Sequence, residues 1–277
     1  QFVLQYKNKL LTMKAGRQVI TKDNHRFVGH VGWRQDRQTF DGITFVYQPI
    51  DELSLEYGYI TKRNRIFAQG NDIDSKDHLL NVSYKTAIGK IAAYSYLLEV
   101  DNDVENGLDT YGLSLNGMAD VGEQTISYKL EYATQDSDSA TDSYSADYLA
   151  AELGTSFSGI TIKAGYELLG SDDGMFGFST PLATLHKFNG WTDTFLNTPA
   201  QGLDDTYISL NGKAFDGKWL VAYHSFDANE QSNGVDDLGT ELNVQYVKPI
   251  NKQYAVGVKY ADYSAGDTAA NKVDTQK

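Results

Sequence analysis

The chain has 277 residues and a formal net charge of −13, which argues against nucleic acid as a partner. It contains no cysteine, so a disulfide-stapled fold and a thiolate metal centre are excluded, and an oxidising compartment is suited. Mean hydropathy is −0.44 and no run of 18 apolar residues occurs, which excludes a transmembrane helix but not a membrane β-barrel, whose strands alternate apolar and polar residues.

The chain begins at Gln1, inside a strand-like run, Phe2-Val3-Leu4-Gln5-Tyr6, with neither Met nor a signal peptide, and reads as a mature or truncated fragment. From there the side-chain period is 2. Leu53, Leu55, Tyr57 and Tyr59 alternate with Glu52, Ser54, Glu56 and Gly58. Ile160, Ile162, Ala164, Tyr166 and Leu168 alternate with Thr161, Lys163, Gly165 and Glu167. Such alternation means strands with one apolar and one polar face. About thirteen complete strands are expected, at 10–20, 38–48, 52–64, 77–86, 90–100, 108–117, 122–134, 145–156, 160–169, 205–214, 217–228, 239–248 and 252–263, with a stub at each end. Most reach the ten residues or so that a tilted strand needs to cross a bilayer.

The expected connections alternate in length. Short ones include Lys7-Asn8-Lys9, Ala87-Ile88-Gly89, Ser158-Gly159 and Asp216-Gly217. Long ones fall at 21–37, 65–76, 101–107, 135–144, 170–204, 229–238 and 264–271. Tight turns at one end and long loops at the other are the rhythm of a membrane barrel, periplasmic and extracellular respectively. Acid clusters such as Asp101-Asn102-Asp103 and Asp136-Ser137-Asp138 fall in the long connections. Tyr47, Tyr57, Tyr59, Tyr132, Trp219, Tyr223, Tyr246, Tyr254 and Tyr260 fall near strand ends on the apolar face, as an interfacial girdle requires. An open strand edge in lipid leaves orphan backbone groups, each costing several kcal/mol. The reading is therefore an all-β, antiparallel up-and-down transmembrane barrel of 14 or more strands, a single domain over 1–277. Its final strand is expected to be cut off in the stub Val273-Asp274-Thr275-Gln276-Lys277.

The densest polar constellation runs Lys14-Ala15-Gly16-Arg17-Gln18, Asp23, Arg26, Trp33-Arg34-Gln35, Arg37 and Gln38-Thr39-Phe40-Asp41-Gly42. This "GRQ" followed by "WRQ…QTFDG" resembles the alginate-export porin-like family of outer-membrane proteins. The resemblance is clear over residues 10–48. It implies an eighteen-stranded barrel passing an anionic polysaccharide through an Arg-lined lumen, with about three strands missing before residue 2. Carried over by position, it makes Lys14, Arg17, Arg34, Arg37 and Asp41 lumen or selectivity candidates, with Lys62 among the inward cations. Arg supplies a planar fork for carboxylate where an anion sheds water. Parity sends Arg17 outward unless Gly16 forms a bulge. Glu52, Glu56, Glu131, Glu167 and Glu241 share the polar face with Lys62, Lys85, Lys129, Lys163 and Lys259, a mixed lumen that suits a general porin. A structural ion-pair network with Asp23 and Asp41 is an equal reading for the arginines.

Loop 170–204 carries Phe176, Phe178, His186 and Trp191, candidates for a constriction or for sugar stacking; packing at the rim is the favoured alternative. The acidic loops offer a weak prospect of Ca²⁺ but lack an EF-hand pattern, so no cofactor or metal site is expected. No HExxH or GxSxG occurs, and the five histidines form no legible triad, so catalysis is not expected. The expected function is a passive outer-membrane pore for small polar or anionic solutes, an oligosaccharide included. The alternatives are a non-conducting adhesin or scaffold and a soluble carbohydrate-binding module. Membrane lipid and lipopolysaccharide are the expected surroundings, as monomer or homotrimer.

Overall fold

The computed structural model describes residues 2–67, 69–232 and 234–277. Gln1 in the first strand-like run, Ala68 in the expected connection 65–76 and Asn233 in 229–238 lie outside the described residues.

Seventeen strands occur among the described residues. They are β1 (Val3–Lys7), β2 (Leu11–Gln18), β3 (Thr39–Ile50), β4 (Leu53–Asn64), β5 (Ile73–Thr86), β6 (Gly89–Leu98), β7 (Asn106–Val121), β8 (Gln124–Ser139) and β9 (Ser143–Phe157). Next come β10 (Ile160–Leu169), β11 (Ser171–Asp172), β12 (Phe176–Gly177), β13 (Leu203–Ala214), β14 (Gly217–Ser232), β15 (Val235–Pro249), β16 (Ala255–Ser264) and β17 (Thr275–Gln276). Fifteen of them form one sheet in which sheet order follows chain order, while β11 and β12 pair as a separate small hairpin. The fifteen match the thirteen expected strands and two stubs. No helix among the described residues is long and apolar enough to cross a membrane; the crossing elements are strands.

The chain divides into two compact units. One comprises Gln1–Leu115, Tyr132–Ala146 and Thr180–Leu185; the other comprises Asn116–Glu131, Asp147–Ser179 and His186–Lys277. In the first unit, antiparallel register aligns Met13, Phe45, Tyr57 and Leu80 across β2, β3, β4 and β5. In the second, Ile162, Leu210, Val221, Val244 and Tyr260 align across β10, β13, β14, β15 and β16. Paired residues share a face, so each row is a continuous apolar stripe. The stripes are exposed: Leu80 is 46%, Ile162 41% and Tyr260 40% accessible. Rows of this length facing water would be an aggregation liability; facing lipid they are the anchoring surface.

The buried sets lie on the opposite, polar face, beneath long connections. In the first unit they include Phe40, Ile60, Leu79, Val28 and Leu182; in the second, Tyr148, Phe178, Phe226 and Tyr263. Loops, rather than a second sheet, cover the polar face.

Two expected long loops are tight. The 135–144 segment is mostly ladder, with only 140–142 outside the strands, and β14 and β15 leave only 233–234 between them. These Ser/Asp-rich ends lack apolar alternation because water reaches both of their faces, yet the strands continue through them, in β14–β15 with register shifts after Phe226 and after Asp227. At the opposite end, Ser158 and Gly159 (φ 50° and 80°) and Phe215 and Asp216 (φ 50° and 63°) take the left-handed pairs of two-residue hairpin turns.

Candidate functional site

Segment 19–38, between β2 and β3, folds over the polar face of the first unit. Lys22 donates to Glu56 at 2.5 Å. Lys90 donates to Asp23 at 2.8 Å, and Asn81 donates to the same carboxylate at 3.2 Å. Phe27 packs 5.2 Å from Tyr94, and Arg26 is 2% accessible. Segment 180–185 locks this cover: Gly29 N–H donates to the Leu182 carbonyl, and the Gln38 side chain donates to the Gly29 and Leu182 carbonyls. Beneath it, Arg63 and Asp77 form a buried two-point ion pair at 2.8 and 2.5 Å. Arg63 also raises the cost of a charge on half-buried Arg65, whose guanidinium is pushed down, by burial first and by Arg63 second.

The Arg-rich motif divides between the faces. Register is unbroken from Leu11↔Tyr47 to Gln18↔Phe40, so although Gly16 has φ +114°, no bulge re-aims Arg17. Arg17 and Asp41 therefore share the file of Met13 and Phe45, on the apolar face, where they meet at 2.8 Å through two hydrogen bonds. Lys62 joins them because a register shift between Ile60 and Lys62 turns it to that face, where it bonds Asp74 at 3.1 Å. Arg17, Asp41 and Lys62 thus form ion pairs on the apolar face, the side to which strand parity sends Arg17. Lys14, one residue out of phase with Met13, stays on the polar face. Arg34 is exposed and lies 4.9 Å over the Trp33 ring. Arg37 lines a cavity described below.

Segment 186–195 is seated on the polar face of the second unit by three buried carboxylates. Asn189 donates to Glu167 at 2.9 Å and to Asp205 at 3.1 Å. Glu241 accepts from the Trp191 and Thr192 N–H groups and from the Thr192 hydroxyl. Phe195 packs 4.7 Å from Phe226 and 5.8 Å from Tyr263. His186 bonds Asp193 through Nδ1 at 2.6 Å and Lys259 through Nε2 at 2.7 Å, while the same lysine lies 4.0 Å from the Trp191 ring. Burial works to raise the Asp193 carboxyl, but hydrogen bonds from His186 and Lys277 hold it below the usual carboxylate range. The segment therefore packs against the polar face of the second unit. Phe178 is fully buried against Tyr148, which removes its ring from any solute, and Phe176 is tied into the β11–β12 hairpin.

Toward the short-turn end, each unit carries a pair of lysines directly opposed on its polar face: Lys85↔Lys90 and Lys213↔Lys218. Lys213 and Lys218 line a cavity of about 450 Å³ with Asp216, Gly217, Val247, Pro249 and Ala255. Like charges directly opposite destabilise a sheet; Asp23 offsets this at Lys90, whereas the Lys213–Lys218 juxtaposition needs another reason. In the segment covering this face, desolvation first and then Lys129 and Lys163 push the Lys187 ammonium down. Sequence reading named these lysines singly or not at all, although K-x₄-K across a two-residue turn is legible in both Lys85-Thr-Ala-Ile-Gly-Lys90 and Lys213-Ala-Phe-Asp-Gly-Lys218. No cluster of three or more metal-ligating side chains occurs among the described residues.

A family model described as Alginate export matches residues 1–168. No curated protein matches the chain. Among solved structures, OccK9 (OpdG) of Pseudomonas aeruginosa superposes with a TM-score of 0.73 at 16% identity, covering 99% of this chain and 72% of that one. OccAB4 of Acinetobacter baumannii gives 0.74 at 15%, covering 99% and 71%. OpdK of Pseudomonas aeruginosa, solved with vanillate, gives 0.74 at 12%, covering 99% and 75%. The fold is thus that of bacterial outer-membrane porins.

Proposed function

Because the chain belongs to the alginate export family, a family of the bacterial outer membrane, we propose that it forms a passive pore for small polar and anionic solutes, oligosaccharides with carboxylates among them. Segment 19–38 covers the polar face of the first unit, and segment 186–195 covers that of the second. The opposed Lys213–Lys218 pair on the polar face of the second unit provides fixed positive charge where a solute enters or leaves.

The observation that carries the anionic preference is the Lys213–Lys218 pair. Both side chains are exposed, both line one cavity, and no acidic residue faces them from the paired position on β15, which is Val247. A carboxylate placed between them relieves their mutual repulsion and gains two charge-assisted hydrogen bonds. The net charge of −13 does not oppose this, since much of the acid clusters in the connections. The vanillate seen with OpdK is likewise a small carboxylate, and such aromatic acids fall within the proposed solute class. Replacing Lys213 and Lys218 together by Ala is expected to move the reversal potential in a salt gradient toward cations. An unchanged potential would remove these lysines from the solute path.

A further inference from the structure

At the long-loop end of the first unit, on the outward face, lies a cavity of about 420 Å³. It is lined by Arg17, Thr39 and Asn64 from the strands, by Gln35, Asp36 and Arg37 from one loop, and by Arg65, Gln69 and Asp72 from the next. Such a volume falls in the range of small-ligand pockets, about 300–1,000 Å³.

Its chemistry is incomplete as it stands. The guanidiniums of Arg37 and Arg65 have no hydrogen-bond or ion-pair partner among the described residues. Asn64 donates to the Thr39 carbonyl and to Asp41, while its carboxamide oxygen is buried without a partner. Asp72 is engaged by the Arg65 backbone N–H at 2.9 Å. The cavity thus offers two open cationic forks beside a buried carboxamide oxygen that has no partner.

Its position decides what could fill it. Arg17 shares its file with Met13, and Thr39 shares its file with Ile43, Phe45 and Tyr47. Ile43 is two residues from Asp41, about 7 Å along the strand. The cavity therefore sits just above the apolar stripe, at the depth of lipid headgroups. Exposed Trp33 and Phe67 belong to the same two loops, as aromatic residues at such a boundary do.

We infer that this cavity holds the phosphorylated sugar headgroup of an outer-leaflet glycolipid. Arg37 and Arg65 bind the phosphate, beside the unpartnered Asn64 carboxamide oxygen. The assignment is independent of what crosses the pore and survives if the pore reading fails.

The test uses purified protein in detergent, titrated with a phosphorylated glucosamine lipid, with the same lipid after dephosphorylation, and with inorganic phosphate. Retained lipid is read by native mass spectrometry. The phosphorylated lipid should bind at least about tenfold more tightly than its dephosphorylated form, the scale of one charge-assisted contact. The Arg37→Gln/Arg65→Gln variant should lose that preference while keeping its heat-dependent gel mobility, and Arg37→Lys/Arg65→Lys should fall between. Equal binding of the two lipids by the wild type would overturn the inference without recourse to any variant. So would a folded Gln variant that keeps the preference. Binding of inorganic phosphate without retention of the lipid would assign a free anion and exclude the lipid.

Discussion

At the scale of residues, one buried charge pair is held by a two-point fork. Arg63 and Asp77 are 6% and 0% accessible and meet through two bonds. Removing one partner strands the other, and Arg65 is close enough to raise the cost. Asp77→Ala should therefore destabilise the protein by about 3–5 kcal/mol, read from urea unfolding of the reconstituted protein. Asp193 gives a pH dependence. Its folded pKa is lowered, so its contribution to seating the loop is complete above the ordinary carboxylate value of about 3.9 and is lost as pH falls through the folded value. Protease cleavage within 186–195 should stay flat from neutral pH to about 4 and rise below it. In Asp193→Asn that acid-dependent step should be absent. The residue scale is also where sequence reading was weakest. Parity alone left Arg17 ambiguous, and Lys62 changes face through a register shift that no local pattern announces.

At the scale of elements, strands were legible and loops were not. Ile160–Leu169 was read to the residue, because apolar residues alternate without interruption and a Gly turn marks its start. The ends of β8 and β14 were cut short because Ser, Asp and Asn suggest turns, whereas outside the membrane they extend the ladder on two wet faces. The seat of segment 186–195 was hidden for a different reason. Glu167 and Glu241 were visible as inward acids, but their donors are backbone N–H groups and an Asn more than twenty residues away. Gly190, at φ +86°, allows the approach; a Cβ there would collide with Glu241. Glu241→Ala leaves the Trp191 and Thr192 N–H groups without an acceptor, at about 1–3 kcal/mol each. It should release the segment, seen as faster loop proteolysis and a larger single-channel conductance. Unchanged values of both would mean that the Phe195 contacts alone hold the loop.

At the scale of the whole molecule, the fold and its outer-membrane location follow from repetition. Fifteen strands in chain order, apolar rows left exposed and buried sets placed under loops make sense together only with lipid on one face and a solute path on the other. The Arg-rich motif led correctly to the family, yet part of it faces away from the lumen. A family motif records ancestry more faithfully than the position of each charge. The pore is tested most directly by recording the reconstituted protein in a planar bilayer under a salt gradient. The account predicts stepwise conductance with a reversal potential on the anion side, displaced toward cations by Lys213→Ala with Lys218→Ala. A properly inserted, heat-modifiable protein that passes no current would contradict it.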